Sequence, residues 1–207
     1  FDPIGNDATP FTGTIFGIGG DVIHIGDGLS EVHTIYDLPI NLPTTDNVGL
    51  VGVGSGATID YVQEANTSIT GHSNVGGMMG KALNGSTISD SANIGNGIKG
   101  VLDITADSGY VRTTSTDQVS NIGGLVGYLE GSSIVESANA ATIIGQVDPV
   151  TNLNVKNVGG LAGTASGSTI TRSVNQGNVF GEEKTGGIVG NALNTSIGSV
   201  SLNDPTE

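Results

Sequence analysis

A glycine-rich motif that returns along the chain is the feature that most restricts how this sequence can fold. Five segments align on their glycines and share the form Asn-Val-Gly-Gly-apolar-apolar-Gly or a close variant of it. They are NVGLVG from Asn47, NVGGMMG from Asn74, NIGGLVG from Asn121, NVGGLAG from Asn157 and KTGGIVG from Lys184. Motifs that recur every ~20–50 residues are typical of proteins built by stacking one small unit on the next.

Two shorter elements follow the glycine motif at a nearly constant distance. The first places Thr or Ser directly before an isoleucine, at Ile59, Ile88, Ile134, Ile170 and Ile197. The second is a Ser-x-Asn triplet that ends at Asn93, Asn139 and Asn175. The glycine motifs start 27, 47, 36 and 27 residues apart, so the base period is 27 residues. The longer steps indicate insertions, which we place near 98–118 and 145–154.

A 27-residue period without helical periodicity predicts an all-β chain, folded as a right-handed parallel β-helix with about one coil per repeat. Each repeat offers three short extended stretches, which in the fourth repeat are Val158–Gly163, Ser168–Ser173 and Asn178–Gly181. Such stretches are too short to be stable alone and would pair with the same stretch of the next coil. We expect residues 1–46 to form irregular first coils of the same solenoid and 47–207 to form the repeats with their insertions.

The pattern of side chains predicts which positions face inward. Columns of Val, Ile, Leu and Met, including Leu125, should fill the interior of the coil. The hydroxyl residues before each isoleucine should point outward, and the stacked Asn side chains should form a hydrogen-bonded ladder. Paired glycines would let the backbone turn or approach closely where a Cβ atom would clash.

The motif core, GGLVG at 123–127 and GGLAG at 159–163, resembles the GLUG motif. That repeat is found in bacterial surface proteins, including large adhesins and the non-catalytic regions of some immunoglobulin A peptidases. The segments PIG at 3–5 and PFTGT at 10–14 are similar to the stretch that often precedes such repeats. Its usual continuation, Phe-Asp-Gly-Asn-Gly-His-Thr-Ile, reads IFGIGGDVI here, so its Asp, Asn and His are missing. The resemblance covers nearly the whole chain and implies a location rather than an activity.

Charge and composition restrict the partners of the chain. Its 20 acidic and 6 basic residues give a net charge of −14, which disfavours binding to nucleic acid and to anionic membrane surfaces. There are no cysteines, and therefore no disulfides or thiolate metal sites. The sequence has no signal peptide and no apolar run long enough to cross a membrane. We therefore expect no membrane insertion and interpret the chain as part of a larger polypeptide.

Catalytic patterns are weak in this sequence. The three histidines, His24, His33 and His72, form no His-Glu-x-x-His pair of the kind that binds zinc in proteases. Serines of the Gly-Ser type recur in every repeat, which is typical of a structural role. A polysaccharide hydrolase or lyase would need clustered carboxylates on one face, and the sequence has no Asp-Asp pair. An enzyme is therefore only an alternative interpretation.

The insertion near 98–118 is the best candidate for specific recognition, because it breaks the period. It alternates like a hairpin with a turn at 107–109, although a longer coil explains the same pattern. It contains Tyr110 and Arg112, residue types that are enriched at binding hot spots. Asp103 and Asp107 lie in the same segment and are candidate ligands for calcium, the only cofactor that the sequence suggests. Solvated acidic loops are the alternative.

These observations predict a non-catalytic segment of a bacterial cell-surface or secreted adhesin, acting as a shaft or a binding domain. Its location would be extracellular or at the bacterial surface, and its partner a host or cell-surface receptor or glycan. Two alternatives stay open. The chain could be a passive spacer in a large surface peptidase, or a polysaccharide-active β-helix enzyme.

Overall fold

The computed structural model describes residues 1–17, 21–24, 29–94, 110–113, 121–145 and 156–198. Within these ranges the chain forms 25 strands and no helix, and all but one of the strand pairs are parallel. The prediction of an all-β chain with parallel sheets is therefore confirmed. The exception is a hairpin near the N-terminus, in which β2 (Asp21–His24) pairs antiparallel with β3 (Leu29–Tyr36).

The strands form five sheets, each of which takes its strands from equivalent places in successive repeats. The glycine-core sheet contains β5 (Val51–Ser55), β9 (Met79–Leu83), β14 (Val126–Glu130), β19 (Ala162–Ser166) and β24 (Val189–Leu193). The hydroxyl sheet contains β1 (Thr14–Phe16), β6 (Thr58–Asp60), β10 (Thr87–Ser89), β15 (Ser133–Val135), β20 (Thr169–Thr171) and β25 (Ser196–Gly198). The asparagine sheet contains β2, β3, β7 (Val62–Ala65), β11 (Ala92–Asn93), β16 (Ala138–Asn139) and β21 (Val174–Asn175).

Two further sheets complete each repeat. The fourth sheet contains β4 (Pro39–Asn41), β8 (Ser68–Gly71), β12 (Tyr110–Thr113), β17 (Thr142–Ile144) and β22 (Val179–Phe180). The fifth contains β13 (Ile122–Gly123), β18 (Lys156–Gly159) and β23 (Glu183–Gly186), and single bridges join Val48 to Val75 and Val75 to Ile122. A full repeat therefore has five extended segments where the sequence predicted three. The predicted first stretch of the fourth repeat is divided between β18 and β19, and the predicted second contains β20 and ends directly before β21.

The register of the sheets follows the motifs of the sequence. In the hydroxyl sheet, Ile59 pairs with Ile88, Ile88 with Ile134, and Ile170 with Ile197. The strands β1, β3 and β4 from the first 46 residues pair in parallel with β6, β7 and β8, so they extend the same sheets. Because parallel strands align equal positions, each motif residue stacks on its counterpart in the next repeat.

Two large hydrophobic clusters fill the space between the sheets, and a small third one contains Ala65, Ala92 and Ile94. The larger lies between the glycine-core and hydroxyl sheets, and includes Met78, Leu125, Leu161 and the stacked isoleucines. The smaller lies between the fourth and fifth sheets and includes Ile69, Val111 and Ile143. Leu125 is fully buried, as the sequence predicted. Large side chains thus fill the interior where their columns align, and this burial is the main force that holds the repeats together.

The corners between strands are built from residues with positive φ. Between the hydroxyl and asparagine sheets these residues are Tyr61, Asp90, Glu136 and Arg172, with φ between 45° and 55°. Ahead of the glycine motif they are Asn47, Asn74, Asn157 and Lys184, with φ between 51° and 60°. Asn adopts this left-handed conformation more readily than most residues, which explains its place at the start of the motif.

The second glycine of the motif is required by the neighbouring repeat. A Cβ atom on Gly124 would lie 2.3 Å from the carbonyl oxygen of Gly160. A Cβ atom on Gly160 would in turn lie 2.0 Å from the carbonyl oxygen of Gly187. Since no side chain tolerates such contacts, glycine at this position allows successive backbones to approach.

Candidate functional site

A ladder of asparagine side chains runs from repeat to repeat ahead of the glycine motif. The Nδ2 of Asn74 donates to Oδ1 of Asn47 at 2.8 Å, Asn121 to Asn74 at 2.7 Å, and Asn157 to Asn121 at 2.9 Å. At the first end, Asn47 donates to the carboxylate of Asp7 at 2.8 Å. At the other end the next motif begins with Lys184, and the buried Oδ1 of Asn157 has no hydrogen-bond partner. The ladder is occupied by contacts between repeats, so it is structural.

Two columns of serines, all buried except the partly buried Ser173, connect the repeats in a second way. One contains Ser86, Ser132 and Ser168, and the other contains Ser91, Ser137 and Ser173. Each serine hydroxyl donates a hydrogen bond to a carbonyl oxygen of its own repeat, usually two residues earlier in the chain. Most of these hydroxyls also accept a hydrogen bond from a backbone amide of the preceding repeat. The amide of Ser91, for example, donates to Oγ of Ser137 at 3.3 Å, and that Oγ donates to the carbonyl of Val135 at 2.7 Å. Such serines are poor candidates for nucleophiles because their hydroxyl groups are buried and engaged.

The outer column of the hydroxyl sheet is the most regular exposed feature. Its members pair in register along the whole sheet and are Thr14, Thr58, Thr87, Ser133, Thr169 and Ser196. All are half-buried or exposed, whereas the isoleucines next to them in the four middle repeats are at most 2% exposed. The outward orientation predicted for this column agrees with these exposures.

Charged side chains line the corner that follows the hydroxyl sheet. Ser89 donates to the carboxylate of Asp60 at 2.7 Å, and Arg172 is paired with Glu136. Asp90 lies between them, and its pKa is raised to about 6, first by partial burial and then by the negative charges of Glu136 and Asp60. The corner therefore concentrates carboxylates, with Arg172 as the neutralising cation.

Glu64 is the most unusual ionisable residue in the described structure. It occupies the asparagine column, since it pairs in register with Asn93, and its side chain is fully buried. Neither of its carboxylate oxygens has a hydrogen-bond partner. Burial raises its pKa from 4.5 to about 8, so the group is neutral at physiological pH. The sequence does contain the signal for this position, because Glu64 follows Ile59 at the distance at which Asn93 follows Ile88.

The residues predicted to bind a partner are only partly described. Tyr110 and Arg112 lie in β12, where Tyr110 pairs with Ser68 and Thr142, and Arg112 with Thr70 and Ile144. Both neighbours of β12 are parallel strands of the fourth sheet, so this strand is not one arm of an antiparallel hairpin. Asp103 and Asp107 lie outside the described residues, as does most of the insertion at 145–154.

Candidate metal ligands do not converge in the described ranges. No group of three or more His, Cys, Asp or Glu side chains there is close enough to hold a metal ion. The Nδ1 of His72 lies 2.7 Å from Oδ1 of Asp46. This pair is partly exposed and has the geometry of a surface ion pair, which contributes little to stability.

No protein-family model matches the chain, and neither a curated protein nor a solved structure matches it. Across the described residues there is also no helix of the length and apolarity needed to cross a membrane.

Proposed function

We propose that the chain is a non-catalytic segment of a bacterial cell-surface or secreted adhesin, and that its parallel sheets close into a right-handed β-helix with about one 27-residue turn per repeat. Neighbouring strands of each sheet come from successive repeats, which supports the closed turn. Ile170 pairs with Ile197, 27 residues further on, where the sequence has no insertion. The resemblance to the GLUG motif supports the surface location.

One observation carries the non-catalytic part of the proposal. Asparagines and serines are the polar residues that recur in the repeats. Their side chains form hydrogen bonds between neighbouring repeats. A catalytic group must instead present a free hydrogen-bonding atom to its substrate. Polar chemistry that recurs here serves the length and rigidity of the stack, as a shaft requires.

Recognition of a receptor or glycan is assigned to the segments that interrupt the period. Strand β12 brings Tyr110 and Arg112 into the fourth sheet between two undescribed segments, 95–109 and 114–120. The acidic residues of the first segment, including Asp103 and Asp107, would also provide carboxylates for calcium.

Adhesion of the purified chain tests the proposal. We expect it to bind host cells or an immobilised glycan array, and the double variant Tyr110→Ala, Arg112→Ala to bind about tenfold more weakly or worse. The matched control is Thr58→Ala, Thr87→Ala on the hydroxyl sheet, which should bind like the parent, and all three proteins should show the same circular dichroism. Equal loss in both double variants, or no adhesion by the parent, would contradict a binding role.

Turnover on a panel of polysaccharides separates the adhesin from the enzyme alternative. We expect no release of reducing ends or unsaturated sugars, with or without added calcium. Reproducible turnover that depends on a single carboxylate would replace the adhesin proposal with an enzyme.

A further inference from the structure

The last repeat ends in a face that no described part of the chain covers. The strands β21, β22, β23, β24 and β25 are each the outermost strand of their sheet. Their outer edges form one surface, which we call the end face. It exposes apolar side chains, with Val174 44%, Phe180 53%, Leu193 51% and Ile197 50% exposed, whereas Ala92, which occupies the position of Val174 two repeats earlier, is 2% exposed. Ile170, directly beneath Ile197 in register, is only 2% exposed.

The opposite end of the stack is covered. The amides of Ile4, Phe11 and Gly17 donate to carbonyl oxygens of the first repeat at 2.9–3.0 Å. The strands β1, β3 and β4 then pair with the first repeat in three sheets. Phe1, Ile4, Phe16 and Tyr36 in this N-terminal layer are 38–57% exposed, so the two ends differ in what pairs with the adjoining repeat and not in apolar exposure alone.

Gly187 indicates what belongs on the end face. It is the second glycine of the last motif, and its counterparts Gly77, Gly124 and Gly160 would each place a Cβ atom 2.0–2.5 Å from a carbonyl oxygen of the following repeat. Around Gly187, in contrast, a Cβ atom would meet no atom of the described residues within 4 Å. The last repeat therefore has a glycine at the position where the backbone of a following repeat would approach most closely. A following repeat could pack there without a clash.

We propose that the end face is a stacking surface for one further polypeptide layer of the same glycine-motif repeat type. The inference does not depend on the adhesin role. A layer that runs in the same direction would pair with all five edge strands in the register seen between earlier repeats, and would place a carbonyl oxygen over Gly187 as those repeats do. Two end faces that met directly would run in opposite directions, and the covered end of a second copy presents the antiparallel strand β2 and begins β4 with Pro39. A same-type repeat therefore fits better than a second copy.

An added repeat tests this directly on the full chain. A duplicate of residues 172–198 inserted after Gly198 continues the register, because Thr171 pairs with Gly198. We expect the extended protein to melt at least about 5 °C higher than the parent, since Ile197 and Val174 become buried as Ile170 and Ala92 are in earlier repeats. A matched insertion with the same residues in scrambled order should leave the melting temperature unchanged.

The substitution Gly187→Ala separates stacking from a general effect of length. In the parent it should change the melting temperature by less than about 1 °C, because no described atom lies within 4 Å of the added Cβ atom. In the extended protein it should remove most of the gain. An extended protein no more stable than the scrambled one, or a substitution with the same effect in both backgrounds, would overturn the proposal. Sedimentation of the parent as a dimer that Gly187→Ala dissociates would also overturn it, in favour of a second copy.

Discussion

Glu64 shows how one substitution in a repeated column changes the physical chemistry of the interior. The other members of the column, Asn93, Asn139 and Asn175, are amides whose hydrogen bonds are satisfied within the stack. An ionised carboxylate at the same depth would lack both solvent and a partner, so the protein keeps Glu64 protonated. Folding therefore holds a proton that the unfolded chain would release.

The pH dependence of stability follows from this proton. The unfolded chain loses it near pH 4.5 and the folded chain near pH 8, so the folded state binds more protons between these values. The contribution of Glu64 to the free energy of unfolding is fully present below pH 4.5. It falls by roughly 1 kcal/mol per pH unit as the pH rises towards 8. Asp90 also lowers the free energy of unfolding as the pH rises, but only up to about pH 6. Of these two carboxyl groups, only Glu64 makes stability depend on pH above pH 6.

Glu64→Gln should remove this dependence, because the amide has a similar shape and no ionisation. We expect the variant to be increasingly more stable than the parent as urea unfolding is repeated from pH 6 to pH 8. Contributions that the two proteins share cancel in the comparison. Parallel stability curves for the two proteins would mean that Glu64 is ionised or solvated in the folded state.

Leu125→Asp tests the interior assignment at the level of one residue. The side chain of Leu125 is fully buried in the larger cluster, so a carboxylate there would be unpaired in apolar surroundings. We expect a loss of about 3–5 kcal/mol, enough to unfold the middle of the stack. Ser133→Ala, on the outward column, is the control and should change stability by less than about 0.5 kcal/mol. A melting temperature equal to that of the parent would show that Leu125 does not face the interior.

At the scale of the strands, the hydrogen-bonded ladders explain why short segments are stable. Strands such as β11 and β16 have only two residues each and form few backbone hydrogen bonds. The side chains beside them add bonds between repeats, such as that from Asn139 to Asn175 at 2.8 Å. Buried amide ladders therefore compensate for the small number of backbone bonds in each strand.

Lys184→Asn should extend the ladder into the last repeat. It would provide an amide donor for the unsatisfied Oδ1 of Asn157, at a position whose φ of 52° suits Asn better than Lys. We expect a gain of about 1 kcal/mol in unfolding free energy. Lys184→Asp is the matched control, because it keeps the conformational preference but offers no donor. Equal stability changes in the two variants would show that charge or conformation, and not the ladder, determines the effect.

The strands also show how much of the fold could be predicted from the sequence. Periodic glycines, isoleucines and asparagines predicted the parallel class, the inward Leu125, the outward hydroxyl column and the Asn ladder, because these are properties of each repeat that stacking only aligns. The division of the first stretch into β18 and β19 was not predicted, since it depends on a bend within a continuous apolar run. β12 was assigned to an insertion because its repeat is irregular on both sides, and only its pairing with β8 and β17 reveals it as a regular strand.

At the scale of the whole molecule, stability is distributed as contacts between neighbouring repeats. Apart from β3, which pairs on one side with β2 of its own hairpin, each strand in the interior of a sheet pairs with the equivalent strands before and after it. The energy of such a stack is approximately a sum over repeats and their interfaces, so a defect in one repeat is transmitted through its neighbours. Binding functions are then expected where the period is interrupted, while the regular repeats determine length and stiffness.

Disulfide trapping tests the central claim, that equal positions of successive repeats lie one strand apart in register. The chain has no cysteine, so introduced pairs report without background. Thr87 and Ser133 are directly paired neighbours, and Cα atoms about 5 Å apart suit a disulfide. We predict that Thr87→Cys, Ser133→Cys forms an intramolecular disulfide rapidly and that Thr87→Cys, Thr169→Cys, two strands apart, does not. Equal oxidation rates for the two pairs, or faster oxidation of the second, would contradict the stacked architecture.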